Sequence, residues 1–346
     1  MSLATLVALV IVVVAQNPPP AGQGGTAPRQ QPPSGTIAPA PNQAAIPKDL
    51  LLQVTLDRAG FSPGIIDGNM GRNTRKALEA YTKQHGSEPA PDVEPVTKYR
   101  ITEEDVAGPF TGEIPSDLVE QSKLPALGYR SIFELLAERF HCTPALLERL
   151  NPGGKFAAGE EIVVPNVEPL VIPATPAPTE QDGAGQRGRG KTDPGAAAAK
   201  AARAEMAARP DVVVTVSKSA SALTVNDAAG RTVMYAPVTT GSEHDPLPIG
   251  EWKVTGVQMN PPFRYNPDLF WDADPSHTKT VLPPGPNNPV GFVWIDISKE
   301  HYGLHGTPEP ASIGRTESHG CVRLTNWDAL KLAGLVKPGT KVLFTR

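Results

Sequence analysis

The stretch LHGTPEPASIGRTESHGCVRL, residues 304–324, brings His305 and His319 near Cys321, and the chain has one other cysteine, Cys142. Three chemistries use such residues. A cysteine thiolate can attack a carbonyl while a histidine takes and returns the proton, with two backbone N–H groups holding the developing oxyanion. A zinc ion could recruit His301, His305, His319 and Cys321, although neither a His-Glu-x-x-His nor a paired-cysteine spacing is present. A disulfide could join Cys142 to Cys321, but it would have to bridge two domains across a proline-rich linker, and disulfide geometry is demanding. On residue types alone the nucleophile is the strongest of the three, and the other two stay open.

In HYGLHGT, the alternation of an extended strand puts His301, Gly303 and His305 on one face and Tyr302 and Leu304 on the other. Gly306 breaks the strand, which leaves His305 at a strand end beside a loop, where catalytic groups often stand. Gly320 allows close backbone approach next to Cys321. The elements that must position these groups are strands. From Asp211 onward VVVTVSK, SALTVND, RTVMYAPVTTG, GEWKVTGV, GFVWIDI and TKVLFT are short Val/Thr/aromatic runs separated by Asn, Asp, Gly and Pro. Only NWDALKLAGLV reads as a helix. The pattern predicts a β-rich, sandwich-like or closed-sheet domain over residues 211–346.

At these residues the chain resembles the L,D-transpeptidase (YkuD-type) family. The resemblance rests on His305-Gly306-Thr307 and, sixteen positions after His305, the cysteine of Ser318-His319-Gly320-Cys321-Val322-Arg323. Asp245–Val254 is similar to the family's Thr-Pro-x-Gly segment, with Leu247 where threonine is usual. The resemblance implies that Cys321 is the nucleophile and His305 the general base. It also implies that His319, Gly320 and the Cys321 N–H shape an oxyanion hole, and that Arg323 binds a substrate carboxylate through its forked guanidinium. Ser318, Thr307 and Tyr302 are expected substrate contacts. The group that orients His305 is either a backbone carbonyl or Thr307. A neighbouring imidazolium would lower the thiol pKa from ~8.5, so the pair is expected to hold thiolate at neutral pH. No metal or cofactor is called for.

The rest of the chain reads as a multidomain arrangement. Residues 1–16 contain an apolar run from Leu3 to Ala15 broken only by Thr5, too short for the ~20 residues of a spanning helix and suited to a signal peptide or an uncleaved anchor. Residues 17–47, with nine prolines and four glycines, form a tether. Residues 48–90 predict two helices around an Asp67-Gly68 turn and resemble a small helical peptidoglycan-binding module, on the strength of that turn, Gly71 and Thr74 to Leu78. Residues 97–167 predict helices at Ile132–Phe140 and after Thr143-Pro144, then a strand in EEIVVP. They resemble a small α+β lysin-motif domain with an insertion between Tyr99 and Tyr129. Cys142 there reads as a buried small hydrophobe. Residues 168–210 form a second Pro/Gly/Ala-rich linker, in which GQRGRGKT matches a phosphate-loop pattern by chance, since no strand precedes it.

A net charge of −4 with 20% charged residues leaves no basic footprint for nucleic acid. The resemblances together imply an exported protein of the periplasm or cell wall whose partners are peptidoglycan stem peptides and glycan strands, with a membrane tether only if the N-terminus is uncleaved. They imply a cysteine L,D-transpeptidase forming 3→3 crosslinks. An L,D-carboxypeptidase of the same fold and a non-catalytic wall-binding protein are the alternatives.

Overall fold

The computed structural model describes residues 46–172 and 206–346. The expected signal or anchor at 1–16, nearly all of the 17–47 tether and the phosphate-loop match at 185–192 lie outside the described residues. Among the described residues no helix is long and apolar enough to cross a membrane.

The N-terminal layer begins with α1 (Leu50–Arg58) and α2 (Arg72–His85). Gly86, in the left-handed conformation, ends α2 by returning its N–H to the Thr82 carbonyl. Strand β1 (Val96–Arg100) then leads to α3 (Glu103–Ala107), which opens on a reciprocal capping box between Thr102 and Asp105. The short α4 (Leu118–Gln121) is capped by Asp117, α5 (Ile132–Arg139) by Ser131, and α6 (Pro144–Leu150) by Thr143 with proline in its first turn. Strand β2 (Glu161–Pro165) returns antiparallel to β1. The two N-terminal segments share one core. Leu50, Val54 and Ile66 of the helical pair are buried among Leu136, Phe140, Cys142, Leu147 and Val164 of the α/β segment. Ile66 also exchanges backbone hydrogen bonds with His141 and Thr143.

The C-terminal region carries β3 (Val212–Ser217), β4 (Ala222–Asp227), β5 (Thr232–Pro237), β6 (Gly250–Met259), β7 (Phe263–Tyr265), β8 (Thr280–Leu282), β9 (Val293–Ile297), β10 (Gly303–His305), β11 (Val322–Arg323), helix α7 (Asn326–Leu335) and β12 (Lys341–Thr345). Eight strands form one sheet in the order β11-β10-β9-β6-β12-β3-β4-β5, and β7 with β8 makes a separate hairpin. The β-rich domain expected from the sequence as sandwich-like or a closed sheet is a single curled sheet with a separate hairpin. The ten-residue β6 passes from β12 to β9 through a register shift at Val254–Gly256, a bulge that bends the sheet. The chain leaving β5 then bridges to the far edge, Thr239 to Arg323 and Gly241 to Ser318. Alternation along β3, with Val212, Val214 and Val216 buried, delivers one face to a core shared with α7 through Trp327, Ala329 and Leu332.

The free edge of β5 is covered by the N-terminal layer. Tyr235 donates its N–H to the Gly60 carbonyl and accepts from Ser62 N–H, while Phe61 packs beside Tyr235 with Leu56 and Ala77. Ser62 Oγ donates to Asp328 Oδ2 at 2.9 Å, His141 stacks on Trp327 with centroids 4.9 Å apart, and Asn326 Nδ2 donates to Glu138 Oε1 at 2.7 Å. The described residues consequently form one compact unit, where the sequence suggested small domains on linkers.

Candidate active site

Strands β10 and β11 run parallel at one end of the sheet, with Leu304 opposite Val322 and His305 opposite Arg323. Leu304 and Val322 are buried in the core, so alternation turns His305, Arg323 and Cys321 together onto the other face. The indole of Trp294, paired with His305 across β9, stacks on the imidazole at 5.4 Å and 18° and shields it from water.

His305 Nδ1 lies 2.7 Å from the Gly306 carbonyl oxygen. A carbonyl can only accept, so Nδ1 carries the hydrogen and Nε2 keeps its lone pair free. This carbonyl orients the ring. Thr307, the other candidate, instead accepts the Glu309 N–H on its hydroxyl at 3.2 Å. Burial, with the Arg323 charge second, pushes the His305 imidazole down to about 3. Burial raises the Cys321 thiol above its ordinary value, opposed by the Gly303 N–H and by Arg323. Burial thus favours the neutral thiol and the neutral imidazole over the thiolate–imidazolium pair expected from the sequence. His305 is buried away from water, and Arg323 disfavours a second cation beside it. The half-buried Arg323 guanidinium has no hydrogen-bonding or ionic partner among the described residues.

The loop before Cys321 is held from several sides. Ser318 Oγ donates to the Cys321 carbonyl at 2.6 Å, and the Ser318 backbone bonds Thr240 and Ser242, so Ser318 shapes the loop. Gly320 has φ +102°, and a Cβ there would lie 2.7 Å from Tyr302 Cε1, so only glycine fits against that ring. Among the described residues the backbone N–H groups of His319, Gly320 and Cys321 donate to no protein acceptor. Three successive free donors around a left-handed glycine make a concavity suited to an oxyanion.

His319 Nε2 bonds Asp272 Oδ1 at 2.7 Å, and its ring meets Phe270 edge-on at 5.0 Å. His301 departs from the strand alternation because it adopts φ +66°. Its side chain is exposed beside Glu300, and its carbonyl oxygen lies 3.9 Å from Cys321 Sγ. The same kink brings Tyr302 to the Cys321 side, opposite to the sequence expectation. With His301 turned outward and His319 bound to Asp272, a zinc set on these residues lacks its members. Cys142 is a free thiol buried in the N-terminal core, where burial raises its pKa strongly, and Cys321 is also free. Trp294, Asp272, Phe270 and Asp245 are site residues that the sequence reading missed. Asp245, whose Oδ2 is buried without a hydrogen-bond partner, opens the Asp245–Val254 segment, but nothing in its residue type singled it out there.

Residues 211–343 match the YkuD family, described as the L,D-transpeptidase catalytic domain. Over these residues the chain is similar to that catalytic domain. It is 50% identical over 62 residues to the YkuD protein of Bacillus licheniformis, covering 18% of this chain and 38% of that one. It is 30% identical over 135 residues to the Bacillus subtilis protein of the same name, covering 39% and 65%. A longer match, 28% identical over 224 residues, spans 58% of this chain and 68% of the probable L,D-transpeptidase ErfK/SrfK of Escherichia coli K12. The chain thus spans less than two thirds of the length of either Bacillus relative.

Proposed function

We propose that the protein is a cysteine acyltransferase that builds 3→3 crosslinks between peptidoglycan stem peptides. The observation that carries the proposal is the convergence, on one face of the β10–β11 edge, of Cys321, the free Nε2 of His305, unbonded backbone donors and the unpaired Arg323. In the proposed reaction a donor tetrapeptide lays its terminal D-alanine carboxylate toward Arg323. Cys321 Sγ attacks the carbonyl of the preceding L-centre as its proton passes to His305 Nε2, and the His319–Cys321 N–H groups take the oxyanion. The C–N bond breaks, D-alanine leaves with the proton from His305, and a thioester remains. An amine of a second stem then attacks the thioester, giving its proton through His305 back to the Cys321 sulfur as the crosslink departs.

Because burial favours the neutral pair, the base is called on only while the thiol is reacting. The work falls to charge placement by Arg323 and the backbone donors. The N-terminal layer, similar in sequence to wall-binding modules, suits a glycan-strand substrate, and export to the periplasm or wall follows from that substrate. The test uses the purified chain and its Cys321→Ala variant with a disaccharide tetrapeptide, products being read by mass spectrometry. Crosslinked dimers with released D-alanine, absent in the variant, are expected. Tripeptide without dimer would make it a carboxypeptidase. No Cys321-dependent change would leave a wall-binding protein.

A further inference from the structure

Residues 109–128, inserted between β1 and α5, leave the N-terminal core and lie against the β7–β8 hairpin. Leu127, fully buried, packs with Tyr265 and Leu282, and Ile114, Leu118 and Leu124 meet Phe263 and Phe270 around them. Backbone bonds join the two segments. Leu127 N–H donates to the Pro284 carbonyl at 3.1 Å, Asn287 N–H to the Leu127 carbonyl at 3.0 Å, and Asn287 Nδ2 to the Gly128 carbonyl at 2.9 Å. The approach is close enough to require Gly285, where φ is +146° and a Cβ would stand 2.1 Å from the Leu127 oxygen.

A polar contact completes the seam. His277 Nε2 donates to Asp117 Oδ2 at 2.9 Å, and its Nδ1 is 3.0 Å from the Tyr265 hydroxyl. The other Asp117 oxygen caps α4 by accepting Glu120 N–H at 2.8 Å, so ordering that turn also aims Asp117 at His277. The loop between β7 and β8 reaches the catalytic face. Asp272 bonds His319, Phe270 meets the same ring, and Trp271 stacks on His244 at 4.4 Å. One hairpin is thus gripped at its base by the insertion and touches, at its tip, a residue two positions from Cys321.

We propose that residues 109–128 are a clamp that fixes the β7–β8 hairpin over Cys321, making the N-terminal layer a positioning part of the active site. Leu118, Leu127, Asp117 and His277 are positioning residues, acting through Phe270 and Asp272 on the His319 loop. Along the chain the hairpin is tied to the sheet by the turns at 260–262 and 283–292, and the clamp adds a second hold on it.

The experiment uses the full chain with His277→Ala, Leu118→Ala and His277→Gln. Hydrogen exchange over 266–279 and iodoacetamide alkylation of each cysteine are followed by mass spectrometry, with turnover of a disaccharide tetrapeptide alongside. In the two alanine variants, exchange over 266–279 is expected to accelerate about tenfold. Cys321 alkylation should accelerate severalfold while Cys142, buried in the N-terminal core, stays unmodified. KM should rise more than kcat falls, and His277→Gln, whose amide can still donate to Asp117, should recover part of each change. Unchanged exchange in both alanine variants would overturn the proposal, as would alkylation of Cys142 in step with Cys321, the mark of general loosening. The turnover measurement rests on the proposed transpeptidase activity; exchange and alkylation do not, so they decide the clamp even if the tetrapeptide is not a substrate.

Discussion

Replacing Glu138 by glutamine removes one titrating group from the contact between the N-terminal layer and the catalytic sheet while keeping its shape. Glu138 is buried on α5, accepts from Asn326 Nδ2 at 2.7 Å and bonds the Tyr129 hydroxyl. Burial raises its carboxyl from 4.5 to about 7, against the two hydrogen bonds, with the nearby Glu134 adding to the rise. A rise of that size corresponds to about 3 kcal/mol. The native state holds this proton more tightly than the unfolded chain. Its stabilisation is therefore complete below pH 4.5, is lost as pH climbs to about 7, and is level above that. Glutamine has nothing to lose, so the stability of Glu138→Gln relative to the parent should improve by about 3 kcal/mol across that interval, or about 6 °C in Tm. The difference between the two proteins is the quantity to follow by thermal denaturation between pH 4 and 8. His305, held down at about 3, costs stability as pH falls from 6.5, and Asp328, raised to about 6, behaves like Glu138, but both titrate alike in parent and variant. A Tm difference that stays flat over this range would refute the buried, protonated Glu138 and with it the dry contact between α5 and α7.

Two further outcomes follow from the candidate active-site face. Alkylation of Cys321 by iodoacetamide should rise with pH through and beyond the ordinary thiol range of ~8.5, with no step near 6.5. Arg323→Met should move the midpoint higher and slow the reaction at pH 8 severalfold, and a rate that levels off below pH 7 would instead show a resting thiolate–imidazolium pair. Gly320→Ala should lose about 2 kcal/mol of stability, from its φ of +102° and the contact with Tyr302, along with most turnover. Adding Tyr302→Ala should relieve only the contact, and an alanine as stable as glycine at 320 would show that the ring stands farther away.

Local signals carried much of this protein. Val/Thr runs bounded by turn residues marked the main strands, because a half-buried strand needs alternation and a stop. Thr143-Pro144 marked the start of α6, because a cap is satisfied within a few residues. The spacing of His305 and Cys321 survived folding because β10 and β11 are neighbours, each ending beside its own loop. What the tertiary structure decided depends on groups far apart in sequence. The hairpin of β7 and β8 has three residues per strand, too few for a periodicity, and is held by an insertion far off in the sequence, Asp117 and His277 standing 160 positions apart. The protonation of the Cys321–His305 pair turned on burial under Trp294 and on Arg323, since desolvation is a property of the packed site and not of the residue types. The merging of the N-terminal segments with the catalytic sheet likewise followed from the open edge of β5, whose unpaired backbone groups are satisfied by Gly60 and Ser62.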